Sequence, residues 1–128
     1  MYFDEEVVLD IRLNTLNEFV DYFVIVESKF THKGDPRNLK FNIKSFEKFK
    51  DKIIYLIYDE IPSQIEKINI EDSYNEQTRK YILNAVHREN EQRNFIKNGL
   101  SSAGNNDLIF ISDVDEIPNL SNLNLNKI

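Results

Sequence analysis

Short, continuous apolar runs alternate along this chain with longer segments of helical periodicity. The apolar runs are rich in β-branched and aromatic residues, which is typical of strands buried on both faces. They span residues 22–26, 52–58 and 108–111. Apolar positions three and four residues apart predict helices over residues 5–19, after Asn42, and over about 75–98. This order of elements predicts an α/β fold, with a parallel sheet covered by helices on both faces.

The long helix and its surroundings carry more detailed expectations. Its predicted core contacts are Ile82, Val86, Ile96 and Leu100. Asn98-Gly99 predicts the end of the helix, because glycine readily adopts the left-handed conformation there. The polar residues 29–40 predict a loop, and residues 104–106 predict a turn.

Acidic residues follow each predicted strand, where parallel sheets bind their ligands. The segments are Glu27-Ser28, Asp59-Glu60 and Asp113-Val114-Asp115-Glu116. Alternation along a strand would place Asp113 and Asp115 on one side and Val114 in the core. Two such carboxylates suit Mg²⁺ or Mn²⁺ bridging a diphosphate. The alternative interpretation is a solvated acidic turn.

Basic and polar side chains near these strand ends are further candidates. Arg93 would pair with the carboxylate cluster or with the phosphates of a donor, and Asn94 would bond the base or the cluster. The alternative for Arg93 is an ion pair with Glu89, one helical turn earlier. Lys33 or Arg37 would contact the diphosphate as charged donors, and the alternative is a solvated loop.

Composition narrows the functional classes. The 41% of hydrophobic residues can form a core, and the net charge of −6 disfavours nonspecific nucleic-acid binding. The lack of cysteine excludes disulfides, thiolate metal sites and a cysteine nucleophile. No glycine-rich phosphate loop or nucleophile elbow is present. Neither a transmembrane run nor a basic signal-peptide region is found, so a cytoplasmic, bacterial or viral type of protein is expected.

Four segments together resemble glycosyltransferase family 17, the β-1,4-mannosyl-glycoprotein 4-β-N-acetylglucosaminyltransferase family. They are residues 20–28 (VDYFVIVES), 49–54 (FKDKII), 91–96 (EQRNFI) and 107–118 (DLIFISDVDEIP). The best-known members add the bisecting N-acetylglucosamine to the core mannose of N-glycans. The resemblance implies a GT-A-like (Rossmann-like) fold, a Mn²⁺ or Mg²⁺ cofactor and a UDP-sugar donor, UDP-N-acetylglucosamine. It also implies inverting transfer to a glycan hydroxyl.

The resemblance also assigns roles to individual residues. Asp115 would be the chief metal ligand, and Asp113 would contact the ribose or the metal. Glu116 would support the site or orient the acceptor hydroxyl, which makes it the catalytic candidate. Glu27 and Ser28 would receive the base and ribose, and a strand-terminal turn is the alternative for both.

The resemblance divides the chain into two regions. Residues 1–118 would form the nucleotide-sugar-binding part, truncated after the Asp-x-Asp strand, and residues 119–128 a tail or the start of a second half. The expected partners are a nucleotide sugar and a glycan acceptor, without nucleic acid. One alternative is an incomplete nucleotide- or metal-binding module that needs a partner or a C-terminal half. A receiver-like phosphotransfer domain is disfavoured, because no lysine follows a later strand.

Overall fold

The computed structural model describes residues 1–123, and a pair of parallel strands forms its centre. Strand β1 (Phe23–Ser28) pairs with β2 (Ile53–Tyr58), with Phe23 opposite Ile53 and Ser28 opposite Tyr58. Two of the three predicted strands and their parallel pairing are therefore confirmed. Of the tail predicted over 119–128, residues 124–128 lie outside the described part.

Helix α1 (Glu6–Leu16) confirms the first predicted helix. Its buried residues Leu9, Leu13 and Leu16 are spaced four and three apart, so they form one apolar stripe. This stripe packs into a single hydrophobic core with β1 and the segment that follows it. The other buried members of that core are Tyr2, Phe23, Ile25, Phe46 and Phe49.

A 3₁₀ helix (Ile43–Phe49) carries the chain from β1 back to β2. The Asn42 side chain accepts a hydrogen bond from the Lys44 backbone N–H at 3.1 Å, which confirms the predicted cap. Phe41 stacks on Phe46 and on Tyr55, with ring centroids 5.6 and 4.5 Å apart. The connection is thus fixed to the sheet by aromatic packing.

Helix α2 (Tyr74–Phe95) confirms the long predicted helix, but it docks through a different face. Ile82 and Val86 are 60% and 43% exposed, so their prediction as core contacts was wrong. Asn84 is buried instead, and its side chain exchanges two hydrogen bonds of 2.8 Å with the Glu66 backbone. Residues two apart point to opposite sides of a helix, so burying Asn84 turns Ile82 and Val86 outward. Ile96 and Leu100 are half-buried.

The helix continues into a 3₁₀ turn that ends at Gly99 (Ile96–Gly99). Gly99 was predicted to adopt a left-handed conformation, but it serves the turn in another way. Among the described glycines Gly34 has the positive φ, of 97°, so Gly99 does not adopt the left-handed conformation. A Cβ atom on Gly99 would lie 2.5 Å from Val24 Cγ1, far inside van der Waals contact. The glycine therefore permits close approach of this turn to β1.

The third predicted strand does not form. Residues 108–111 are not in a strand, and their side chains are between 45% and 59% exposed. This segment and β1 both line a groove of about 530 Å³, and no strand pairing joins them within the described residues. The edge of β1 on this side is bonded to Tyr2, whose N–H donates to the Val26 carbonyl at 2.9 Å. The α/β class is confirmed, whereas the described sheet has two strands.

The contact between Gly99 and β1 predicts a steric effect on stability. Gly99→Ala should lower the free energy of unfolding by about 1–3 kcal/mol, because the added methyl overlaps the stiff Val24 side chain. Gly104→Ala is the matched control, since its Cβ would lie 3.7 Å from the nearest atom, Asp107 Oδ2. Urea unfolding of both variants tests this, and equal stabilities would contradict it.

Candidate functional site

The acidic segment forms a tight turn between the core and solvent. The Glu116 N–H donates to the Asp113 carbonyl at 3.1 Å, and the Asp113 N–H donates to Glu116 Oε2 at 3.2 Å. Asp113 and Asp115 thus project from a turn, and the strand alternation expected to align them does not apply. Both side chains are exposed, while Val114 packs against the core as predicted. The backbone therefore forms the acidic turn that was the alternative interpretation of this segment. The metal-binding role of Asp113 and Asp115 stays a prediction.

Arg93 of α2 reaches the turn. Its Nη2 donates to Asp113 Oδ1 at 3.1 Å and to Glu89 Oε1 at 3.2 Å. The predicted pairing with the carboxylate cluster and the alternative pairing with Glu89 are therefore both present. All three side chains are between 40% and 51% exposed, so solvent weakens these ion pairs. Asn94 is exposed beside Arg93, and its contact with a base stays a prediction.

Arg12 of α1 also binds the turn, although it was not among the residues predicted from the sequence. Its guanidinium donates 2.8 Å hydrogen bonds to the Asp113 and Glu116 carbonyls and to Ser112 Oγ. Arg12 lies three residues after Leu9 and one before Leu13, on the face that α1 turns to the core. A long cation at a core-facing helical position is the signal that could have found it.

Glu27, at the carboxyl end of β1, has a fully buried side chain. Its carboxylate accepts hydrogen bonds from the Lys40 N–H at 2.7 Å, the Phe41 N–H at 3.0 Å and the Tyr55 hydroxyl at 2.8 Å. Arg37 Nη2 lies 3.0 Å from its Oε1. Burial raises the pKa of Tyr55, and the hydrogen bond from its hydroxyl to Glu27 raises it further. The carboxylate of Glu27 is thus held by partners within the chain.

Arg37 and Ser28 belong to the same internal network. Arg37 Nη1 donates to the Ser28 carbonyl at 2.7 Å, and Nη2 also donates to the Phe3 carbonyl. The Ser28 hydroxyl accepts from the Phe30 N–H at 3.0 Å, and Ser28 is buried. Contacts of Glu27 and Ser28 with a base and ribose, and of Arg37 with a diphosphate, stay predictions. In the structure these groups bind one another.

The acidic turn lies beside the N-terminal residues that bond to β1. The pKa of the Met1 amino group is lowered, mainly by burial. The charges of Arg12 and Arg93 add to this shift, and the charge of Asp113 opposes it. Met1 precedes Tyr2, which pairs with Glu27 at the carboxyl end of β1. Met1 and Tyr2 line the same groove as Ser112 and Val114, so the turn lies near the carboxyl-terminal half of β1.

Comparison with known proteins identifies the family. The family model described as "Glycosyltransferase family 17" matches residues 1–128. The chain belongs to glycosyltransferase family 17. It is 32% identical over 118 residues to "Beta-1,4-mannosyl-glycoprotein 4-beta-N-acetylglucosaminyltransferase" of Homo sapiens and, equally, of Rattus norvegicus. Each alignment covers 86% of the chain and 19% of the relative, so the chain spans about a fifth of the length of these proteins. No solved structure matches the chain significantly.

The described residues of this family 17 chain would supply only some of the ligands of a divalent cation. Within residues 1–123, no three His, Cys, Asp or Glu side chains come together as a metal site. Mg²⁺ in phosphate-binding sites is commonly held by one or two carboxylates, with substrate phosphates and water completing the shell. Asp113 and Asp115 would supply two such carboxylates, and their binding of a cation stays a prediction. Separately, the described chain contains no helix with the length and apolar character needed to cross a membrane.

The Glu27 network predicts a large effect on stability in this family 17 chain. Glu27→Ala leaves the Arg37 guanidinium, which is only 9% exposed, without its carboxylate partner. The free energy of unfolding should fall by about 3–5 kcal/mol, as measured by urea denaturation. Tyr55→Phe removes one hydrogen bond to the same carboxylate and should lower it by about 1.5–3 kcal/mol.

Glu47→Ala is the control, because Glu47 pairs with Lys50 on the surface. Loss of this exposed ion pair should change the free energy of unfolding little. A Glu27→Ala protein as stable as the Glu47→Ala protein would show that the buried network does not support the fold.

Proposed function

We propose that this chain is the nucleotide-sugar-binding part of a glycosyltransferase. It would transfer N-acetylglucosamine from UDP-N-acetylglucosamine to a hydroxyl group of a glycan. The relatives named above support the sugar and the type of acceptor. The observation that carries the proposal is the exposed acidic turn of Asp113 and Asp115, held by arginines from both helices, in a chain of family 17.

Asp115 and Asp113 are the residues that would hold the cation, Mn²⁺ or Mg²⁺. The cation supplies charge stabilisation for the departing nucleotide diphosphate. Asp115 is exposed at the tip of the turn, so it is accessible to a cation that arrives with the donor. Asp113 bonds Arg93 through Oδ1, which places a carboxylate and a guanidinium side by side.

Arg93 would bind the phosphates of the donor. Its side chain is 42% exposed, so an anion from solvent can approach it. Guanidinium groups form paired, charge-assisted hydrogen bonds with phosphate oxygens. Glu89 and Asp113 orient the Arg93 side chain from two sides. Asn94, the next residue on α2, would contribute a neutral contact to the base or the turn.

Glu116 is the candidate for the acceptor side of the reaction. Its carboxylate is exposed, and Oε2 accepts the Asp113 N–H at 3.2 Å. In an inverting transfer the acceptor oxygen attacks the anomeric carbon while the bond from that carbon to UDP breaks. The hydroxyl proton must pass to a base during this step. Glu116 would receive that proton or orient the hydroxyl.

Calorimetric titration with UDP and UDP-N-acetylglucosamine tests the proposal. The 128-residue chain should bind both more tightly with Mn²⁺ than with EDTA, because the cation links the diphosphate to the acidic turn. Asp115→Ala should abolish this Mn²⁺-dependent gain. The matched control is Asp51→Ala, since Asp51 is an exposed acid just before β2, at the opposite end of the sheet.

Equal affinity in Mn²⁺ and EDTA would contradict the metal-dependent site. Loss of the gain in both variants would show that Asp115 has no special role. Mn²⁺-dependent binding to the wild type and to Asp51→Ala, together with its loss in Asp115→Ala, is the expected result.

A further inference from the structure

Arg12 joins the two ends of the acidic turn. Its Nη1 donates to the Asp113 carbonyl and to the Glu116 carbonyl, each at 2.8 Å. Its Nη2 donates to Ser112 Oγ at 2.8 Å, and that hydroxyl in turn donates to the Glu116 carbonyl at 3.0 Å. One guanidinium therefore bonds the residue before the turn, its first residue and its last residue.

Besides the Arg12 contacts, the turn is closed by hydrogen bonds within the segment, one of them from the Asp113 N–H to Glu116 Oε2 at 3.2 Å. Its internal backbone hydrogen bond, from the Glu116 N–H to the Asp113 carbonyl, is 3.1 Å long. Asp113, Asp115 and Glu116 are all exposed, and their like charges repel one another. The Arg12 guanidinium offsets that repulsion, and it binds the Asp113 carbonyl that closes the turn and the Glu116 carbonyl at its end.

Arg12 is well suited to hold a fixed position. Its neighbours Leu9, Leu13 and Leu16 are buried on the same face of α1, which anchors the helix in the core. Partial burial lowers the pKa of the Arg12 guanidinium, and the Glu116 and Asp113 carboxylates raise it. The planar fork directs two nitrogens at once, which a lysine ammonium cannot reproduce.

The two arginines at the turn bind different kinds of atoms. Arg93 bonds the Asp113 carboxylate, the group proposed to meet the cation. The Arg12 hydrogen bonds go to backbone carbonyls and a hydroxyl. Arg12 can therefore hold the backbone while the acidic side chains bind a ligand.

We propose that Arg12 is a positioning residue that locks the Ser112–Glu116 backbone and so presents Asp113 and Asp115 to the cation and diphosphate. The first half of this inference concerns the turn itself. The second half rests on the function proposed above. Arg12 itself does not contact the donor in this proposal.

Two measurements on the 128-residue chain test the inference. Amide hydrogen exchange of Glu116, followed by NMR, reports opening of the turn. Calorimetric titration with UDP in Mn²⁺ reports presentation of the acids. The variants are Arg12→Gln, which removes the charge and the fork, and Arg12→Lys, which keeps the charge. Arg79→Gln is the control, because Arg79 pairs with Glu66 and Glu76 on the surface instead.

Arg12→Gln should speed exchange of the Glu116 amide by about tenfold or more, while the Leu13 and Leu16 amides of α1 keep their wild-type rates. It should weaken Mn²⁺-dependent UDP binding by about 10–100-fold, the usual cost of losing a supporting contact around a metal site. Arg12→Lys should show most of both effects, and Arg79→Gln neither. If Arg12→Gln does not fold, Arg12→Lys provides the decisive comparison.

Unchanged Glu116 exchange in the folded Arg12 variants would overturn the inference. Wild-type Glu116 exchange and wild-type UDP affinity in Arg12→Lys would also overturn it, because charge alone would then suffice. Faster exchange with unchanged UDP affinity would refute the positioning role. If the wild type bound no UDP, the proposed function would fail, whereas faster Glu116 exchange in Arg12→Gln would still confirm the lock on the turn.

Discussion

The fold depends on one buried carboxylate. Glu27 is the next-to-last residue of β1 and its side chain has no exposure to solvent, so its charge must be balanced within the protein. Its partners come from β2, through Tyr55, and from the returning loop, through Arg37, Lys40 and Phe41. A single side chain thus fixes the strand pair and the loop to each other. Removing it costs more than any one hydrogen bond, because the buried Arg37 would be left uncompensated.

This network decides which acids remain accessible to a ligand. Glu27 and Ser28 occupy the strand end where a nucleotide was expected, yet their polar atoms bind Arg37, Tyr55 and nearby backbone. The acidic turn is arranged in the opposite way, with its backbone bonded and its carboxylates exposed. The turn, whose carboxylates are open to solvent, is therefore the more accessible of the two places for the proposed donor.

The sequence predicted those features that depend on local pattern. Short apolar runs identified β1 and β2, and Asn42 was recognised as a cap because capping needs only neighbouring residues. The orientation of α2 was missed because it follows from the burial of Asn84 against Glu66, a contact between distant segments. Residues 108–111 have strand-like side chains, but a strand also needs a neighbouring edge within hydrogen-bonding distance. In the structure a groove lies beside β1, and residues 108–111 are not paired with that strand.

The candidate site shows the same division. Asp113, Asp115 and Arg93 are candidates by their place in the chain, whereas Arg12 was overlooked because its targets lie about a hundred residues away. The difference in targets also explains why the turn needs two arginines. A cation or a phosphate competes directly with an ion pair, so the bond between Arg93 and Asp113 can exchange when a donor binds. A hydrogen bond to a carbonyl turned toward α1 meets no such competition. Arg12 can therefore preserve the shape of the turn throughout the exchange, which a second carboxylate-binding arginine could not do.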